Sequence, residues 1–142
     1  QGARLRCGGR RLPVSPGRFM APTIVDGLTP MAALAREEVF GPVLAVLTFD
    51  NSDGAIALAN DSDYGLSAGV WTQNMDTALR CAREIRAGTV WINRFMTGFP
   101  ELPFGGYRQS GIGRELGRHA ARDFTETKTV QLQMGPRSGL WP

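Results

Sequence analysis

Glu37-Glu38-Val39-Phe40-Gly41-Pro42-Val43-Leu44-Ala45-Val46-Leu47-Thr48-Phe49 decides the fold class of this 142-residue chain. Two carboxylates and an aromatic ring stand directly before a Gly-Pro break, and the break opens into an apolar run, Val43 to Phe49. A short apolar run bounded by turn signals reads as a buried strand. The acids therefore sit on a loop delivered to the edge of a sheet, where α/β folds place ligand-binding groups. A carboxylate there can accept hydrogen bonds from both hydroxyls of a ribose, and Phe40 offers a flat apolar wall beside it. Taken alone, Glu37 and Glu38 also suit an ordinary solvated loop.

Working outward, Asp50-Asn51-Ser52-Asp53 supplies several N-caps for a helix running to about Asn60, and Leu66 to Thr72 reads as the next strand. Met75, Ala78, Leu79, Ala82 and Ile85 recur at three- and four-residue steps and make one apolar helix face. Asn74 caps that helix, and Gly88 stands where a left-handed C-terminal residue is wanted. Thr89 to Asn93 is β-branched and aromatic, hence strand. Strand, helix, strand, helix, strand over Val43 to Asn93 predicts two βαβ units and parallel pairing. Arg94 to Gly113 is a long glycine-rich loop of the functional kind, Arg114 to Phe124 suits a helix, and Thr127 to Met134 reads as a last strand. Upstream, Arg4 to Cys7 suits a short strand. Phe19 to Val25 suits a strand that Pro22 confines to an edge or a bulge.

Composition bounds the rest. A chain of 142 residues, 42% hydrophobic and 20% charged, fits one soluble globular core, and no apolar run approaches the roughly 20 residues of a membrane-spanning helix. The arginine-rich start, broken by glycine and proline, lacks a signal-peptide core. Cys7 and Cys81 lie far apart without paired spacing, which predicts a reduced, cytoplasmic setting. The net charge is +3, with Arg4, Arg6, Arg10, Arg11 and Arg18 near the start. No aromatic residues interleave with those arginines before Phe19, and no helix-turn-helix or zinc-finger spacing follows, so nucleic acid is not an expected partner. Two cysteines and one histidine at unrelated spacings give no zinc site. Ser110, His119 and Asp123 lie within one short stretch and do not make a hydrolase triad; a solvated helix histidine is the expectation. Gly111-Ile112-Gly113-Arg114-Glu115-Leu116-Gly117 approaches a dinucleotide fingerprint, but its last spacing is one residue too long and no strand directly precedes it. Its glycines instead suit a sharp turn into the following helix.

Two blocks together point further. Glu38-Val39-Phe40-Gly41-Pro42 and Pro103-Phe104-Gly105-Gly106-Tyr107-Arg108-Gln109-Ser110-Gly111-Ile112-Gly113-Arg114-Glu115 resemble the C-terminal part of the NAD(P)-dependent aldehyde dehydrogenases. Tyr64-Gly65-Leu66 and Ala87-Gly88-Thr89-Val90-Trp91-Ile92-Asn93 extend the likeness, which runs from about residue 17 to residue 133. The resemblance implies an α/β fold: residues 1–126 as the later part of a catalytic domain, 127–134 as an oligomerisation strand, and 135–142 as a flexible tail. It implies that Glu38 holds the nicotinamide-side ribose of NAD or NADP and that Phe40 packs on ribose and ring. Leu66 would line the space between nicotinamide and aldehyde, and Phe104 the substrate tunnel; core packing is the alternative for both. Phe99 to Tyr107 is similar to the loop of betaine aldehyde and aminoaldehyde members, which makes betaine aldehyde the first substrate candidate. There Phe104 would face a quaternary ammonium and Glu101 would add a carboxylate, unless Glu101 points to solvent.

In that family a cysteine nucleophile, a glutamate base and the dinucleotide-binding domain all precede the matched region. Neither Cys7 nor Cys81 has the nucleophile's surroundings. The resemblance thus implies a truncated oxidoreductase, inactive alone, with no catalytic residue or metal of its own. It also implies a homo-oligomer that takes an aldehyde and meets no membrane. The alternative is a non-catalytic module that binds partner subunits through Lys128 to Met134.

Overall fold

The structure, a computed structural model, describes residues 2–14 and 16–136. A three-stranded sheet has the order β1-β4-β5, where β1 is Arg4–Cys7, β4 Thr23–Asp26 and β5 Val43–Ala45. β2 (Arg11–Leu12) and β3 (Phe19–Met20) form a separate antiparallel ribbon. The strand expected over Phe19 to Val25 is therefore split at Ala21-Pro22, in line with the missing proline donor. β1 runs antiparallel to β4 with a bulge between Leu5 and Cys7, and Asp26 at the end of β4 draws in both Arg4 and Arg6. The Arg6 hydrogen bond holds the Asp26 carboxyl below the usual carboxylate range. All three side chains meet solvent, so the cluster fixes register more than it stabilises.

β4 and β5 pair in parallel, Thr23 against Val43 through Val25 against Ala45. The connection between them carries the short helix α1 (Ala33–Arg36), so a βαβ unit stands here, upstream of where the pattern placed it. β5 stops at Ala45, although the apolar run continues to Phe49. α2 (Ser52–Asn60) and α3 (Met75–Glu84) form as their caps dictate. Asn51 Oδ1 accepts the Gly54 N–H at 2.9 Å and Asn74 Oδ1 accepts the Thr77 N–H at 2.8 Å. Arg80 on α3 bridges Glu84 at 3.0 Å and reaches Asp53 on α2. β6 (Ser67–Val70) and β7 (Thr89–Ile92) flank α3 and pair in parallel, so the second expected βαβ unit holds. The first does not: among the described residues β5 pairs with β4, and β6 has only β7.

Gly88 corrects a second expectation. α3 ends at Glu84, Ile85 is extended at φ −72°, and Gly88 is not left-handed. Glycine is needed there for space, because a Cβ at Gly88 would lie 1.7 Å from the Gly105 carbonyl oxygen. The Arg94–Gly113 loop thereby comes down directly onto the start of β7. It contains a 3₁₀ turn at Arg108–Ser110 and a main-chain bridge between Phe104 and Glu115. Gly111 (φ 108°) and Gly113 (φ 82°) make the expected turn before α4 (Gly117–Asp123), a shorter helix than the pattern suggested.

Among the described residues the apolar core is thin: Ala21, Ala32, Ile56, Ala78 and Cys81. On α3, Ala78 and Cys81 are buried while Met75 and Leu79 of the expected apolar face are exposed. The chain presents 11773 Å² of accessible surface, against about 7,200 Å² for a compact monomer of 15.4 kDa. Residues 127–134 pair with no strand of the described chain, and Val130, Leu132 and Met134 are exposed. The tail beyond residue 136 lies outside the described residues.

Gly88→Ala has no side-chain escape, because the blocking atom is main chain. We expect it to cost about 3 kcal/mol or more, read as a lower urea midpoint by circular dichroism.

Candidate active-site clefts

Two open clefts meet at the turn before β6. The larger, about 790 Å³, is lined by Glu38 and Phe40 together with Ser62 and residues 64–69, 85–87 and 109–110. The smaller, about 360 Å³, is lined by Leu66, Phe104, Ser110 and residues 112–115, with Asp123 and Phe124. Leu66 and Ser110 belong to both.

Phe40 owes its place to the main chain. It is left-handed at φ 49° and 92% exposed, which turns its ring outward just before Gly41-Pro42. A bulky residue in that region costs about 1–3 kcal/mol and persists only where its neighbours hold it. Here the Pro42 carbonyl accepts the Thr23 N–H at 2.8 Å, so β4 anchors the loop immediately after the turn. Glu38 is exposed beside it. The ring buries little among the described residues, and with the Glu38 carboxylate it offers the cleft an apolar face and acceptor oxygens, which suit a flat ligand bearing hydroxyls.

The opposite wall is built from three turns locked together. The Tyr107 and Gly88 N–H groups both donate to the Gly65 carbonyl, at 2.9 and 3.0 Å, and the Gly65 N–H donates to Ser110 Oγ at 2.9 Å. The Gln109 N–H adds a bond to the Asp63 carbonyl at 3.0 Å. Leu66 follows this knot and remains 41% exposed. Phe104 is half-buried, and its N–H and carbonyl pair with Glu115, each at 2.7 Å.

Sequence-predicted residues are thus brought together in part. Glu38, Phe40 and Leu66 share one cleft, and Leu66 and Phe104 share the other. Glu101 is exposed and lines neither; its turn rests on the start of α4 through the Gly117 N–H bond to the Pro100 carbonyl, 2.8 Å. Cys81 is buried in α3, and Cys7 is exposed on β1, away from both clefts. Asp123 accepts the Arg114 N–H at 2.9 Å, and His119 is exposed, so Ser110 has no triad about it. Sequence reasoning overlooked Ser110 as an acceptor and Asn60, whose amide bonds the Glu84 carbonyl (2.8 Å) and the Arg86 N–H (2.7 Å). An asparagine closing a helix beside acidic turn residues was the one available signal for Asn60.

Residues 1–130 match the model of the Aldehyde dehydrogenase family. The chain belongs to that family. It is 48% identical over 136 residues to betaine aldehyde dehydrogenase of Cereibacter sphaeroides, covering 96% of this chain and 28% of that protein. To human retinaldehyde dehydrogenase 3 it is 43% identical over 138 residues, 97% of this chain and 27% of the relative. The crystal structure of an NAD-dependent aldehyde dehydrogenase from Sinorhizobium meliloti superposes with a TM-score of 0.90 at 48% identity, covering 99% of this chain and 28% of that one. The chain therefore spans little more than a quarter of the length of these aldehyde dehydrogenases.

Within this aldehyde dehydrogenase chain, Ser110→Ala would leave the buried Gly65 N–H without its acceptor. The expected cost is about 1–2 kcal/mol, measured by urea denaturation, with Ser110→Thr closer to wild type.

Proposed function

We propose that this chain supplies the nicotinamide-side wall and part of the aldehyde passage of an NAD-dependent aldehyde dehydrogenase, which oxidises an aldehyde to a carboxylate. The observation that carries the reading is the outward Phe40 ring beside Glu38 in one cleft with Leu66, which itself borders Phe104 in the next. NAD, when bound, accepts a hydride from the substrate. Glu38 would accept the ribose hydroxyl protons, Phe40 would stack along ribose and ring, and Leu66 would keep water from the path between the clefts. The NAD-dependent relative supports NAD over NADP. Betaine aldehyde ranks first as substrate on the 48% identical relative. With Glu101 outside both clefts, a quaternary ammonium would meet Phe104 rather than that carboxylate.

That neither cysteine lines a cleft supports a thiolate nucleophile supplied from outside these 142 residues, and a chain that is inactive alone. The exposed alternation Val130, Leu132, Met134 supports pairing of residues 127–134 with a second subunit, and the two free cysteines fit a cytoplasmic setting.

In a dehydrogenase carrying this segment, Glu38→Gln and Phe40→Ala should each raise the KM for NAD about tenfold with little change in the KM for aldehyde, since each loses roughly 1.4 kcal/mol of binding. Phe104→Ala should move the aldehyde KM instead. An unchanged NAD KM in both of the first two variants would refute the assignment.

A further inference from the structure

Arg108 is the residue on which the cleft wall converges, and nothing in the dehydrogenase reading gives it a role. It is left-handed at φ 53°, a conformation that costs an arginine about 1–3 kcal/mol. Its guanidinium meets main-chain carbonyls from three places and, among the described residues, no carboxylate. Nη1 donates to the Asn60 carbonyl at 3.0 Å and to that of Ser62; Nη2 donates to the Arg86 carbonyl at 3.2 Å. Asn60 is the last residue of α2, and Arg86 lies two residues beyond the end of α3. The cation thus occupies the point where two helix C-termini converge. Carbonyls left without helical partners gather there, and the helix dipoles present partial negative charge. Only a planar fork reaches three such acceptors at once.

We propose that Arg108 is a positioning residue: its guanidinium ties the ends of α2 and α3 to the 103–115 loop and so sets the wall of the larger cleft opposite Glu38 and Phe40. Ser62 and Arg86, two of its three acceptors, line that cleft, and so do its chain neighbours Gln109 and Ser110. The strain at Arg108 is held by these bonds. Without them the residue returns to an ordinary backbone conformation and withdraws Ser110 from the Gly65 N–H. Only the identity of the ligand in the cleft rests on the cofactor reading above; the clamp itself does not.

The test compares wild type, Arg108→Ala and Arg108→Lys by native-state hydrogen exchange on the 142-residue chain. The Gly65, Gly88, Tyr107 and Gln109 amides should exchange about tenfold faster in Arg108→Ala, with Arg108→Lys between, because the lysine keeps the charge but loses the fork. The Ala21, Thr23 and Val46 amides, bonded to Arg10, Pro42 and Val25, should not change. In a dehydrogenase carrying the segment, the same variants should raise the KM for NAD about tenfold while kcat stays within about twofold. Asn74→Ala, which loses the cap at the end of α3 opposite Arg108 and lines neither cleft, should lower the melting temperature without moving KM. Uniformly faster exchange in both Arg108 variants, or none at the four amides, overturns the proposal. So does a loss of melting temperature with the NAD KM unchanged. If that enzyme makes no use of NAD, the cofactor reading fails and the exchange pattern alone decides the clamp.

Discussion

Main-chain carbonyls at the ends of α2 and α3 govern how this molecule is put together. Two polar side chains satisfy them: the Asn60 amide joins one helix end to the other, and the Arg108 guanidinium joins both to the loop that follows β7. Gly88 lets that loop approach closely enough for the bonds to form. Once it is down, Gly65 is held at its N–H and its carbonyl, Leu66 is delivered to the meeting point of two clefts, and Phe104 is set against Glu115. The wall is built by hydrogen bonding rather than by apolar packing, as the small side chains of the core make necessary.

That thin core has a consequence for what the chain does. Roughly 4,600 Å² of surface beyond that of a compact monomer of this mass is more than one partner contributes to a standard interface, about 800 Å². Among the described residues β5 carries a single neighbour, and β6 and β7 form a parallel pair with no further strand, whereas parallel sheets are ordinarily covered on both faces. Phe40, Leu66 and Leu79 are exposed as well. A site with one wall of this kind binds well only when a second wall excludes water, which joins the physical argument to the coverage of the relatives, little more than a quarter of their length.

Local chemistry was the legible part of the sequence. Asn51 and Asn74 announce α2 and α3 because a capping side chain acts on an N–H three residues away. Pro22 announces its break for the same reason of locality. Periodicity gives the type of an element but not its neighbour, so β5 was expected beside β6 and stands beside β4. Gly88 was misread because a left-handed cap and a close backbone approach both call for glycine, and only the position of Gly105 separates them. Cys81 is buried although it stands outside the apolar stripe of α3, while Met75 and Leu79 of that stripe are exposed, since the side that packs is set by neighbours. The motif blocks single out Glu38, Phe40, Leu66 and Phe104, which line the two clefts, whereas Arg108 bonds with partners 22 to 48 residues away, beyond any local pattern.

The central claim is that these residues form one wall of a dehydrogenase site that is catalytically silent without the rest. Its most direct test is the intact mass of the purified chain, followed on the same sample by NADH formation with betaine aldehyde and NAD. For a sample whose mass is confirmed as 15.4 kDa, the account predicts no NADH above the enzyme-free rate. Turnover by a chain of that confirmed mass would contradict it, and would place the nucleophile at Cys7 or Cys81.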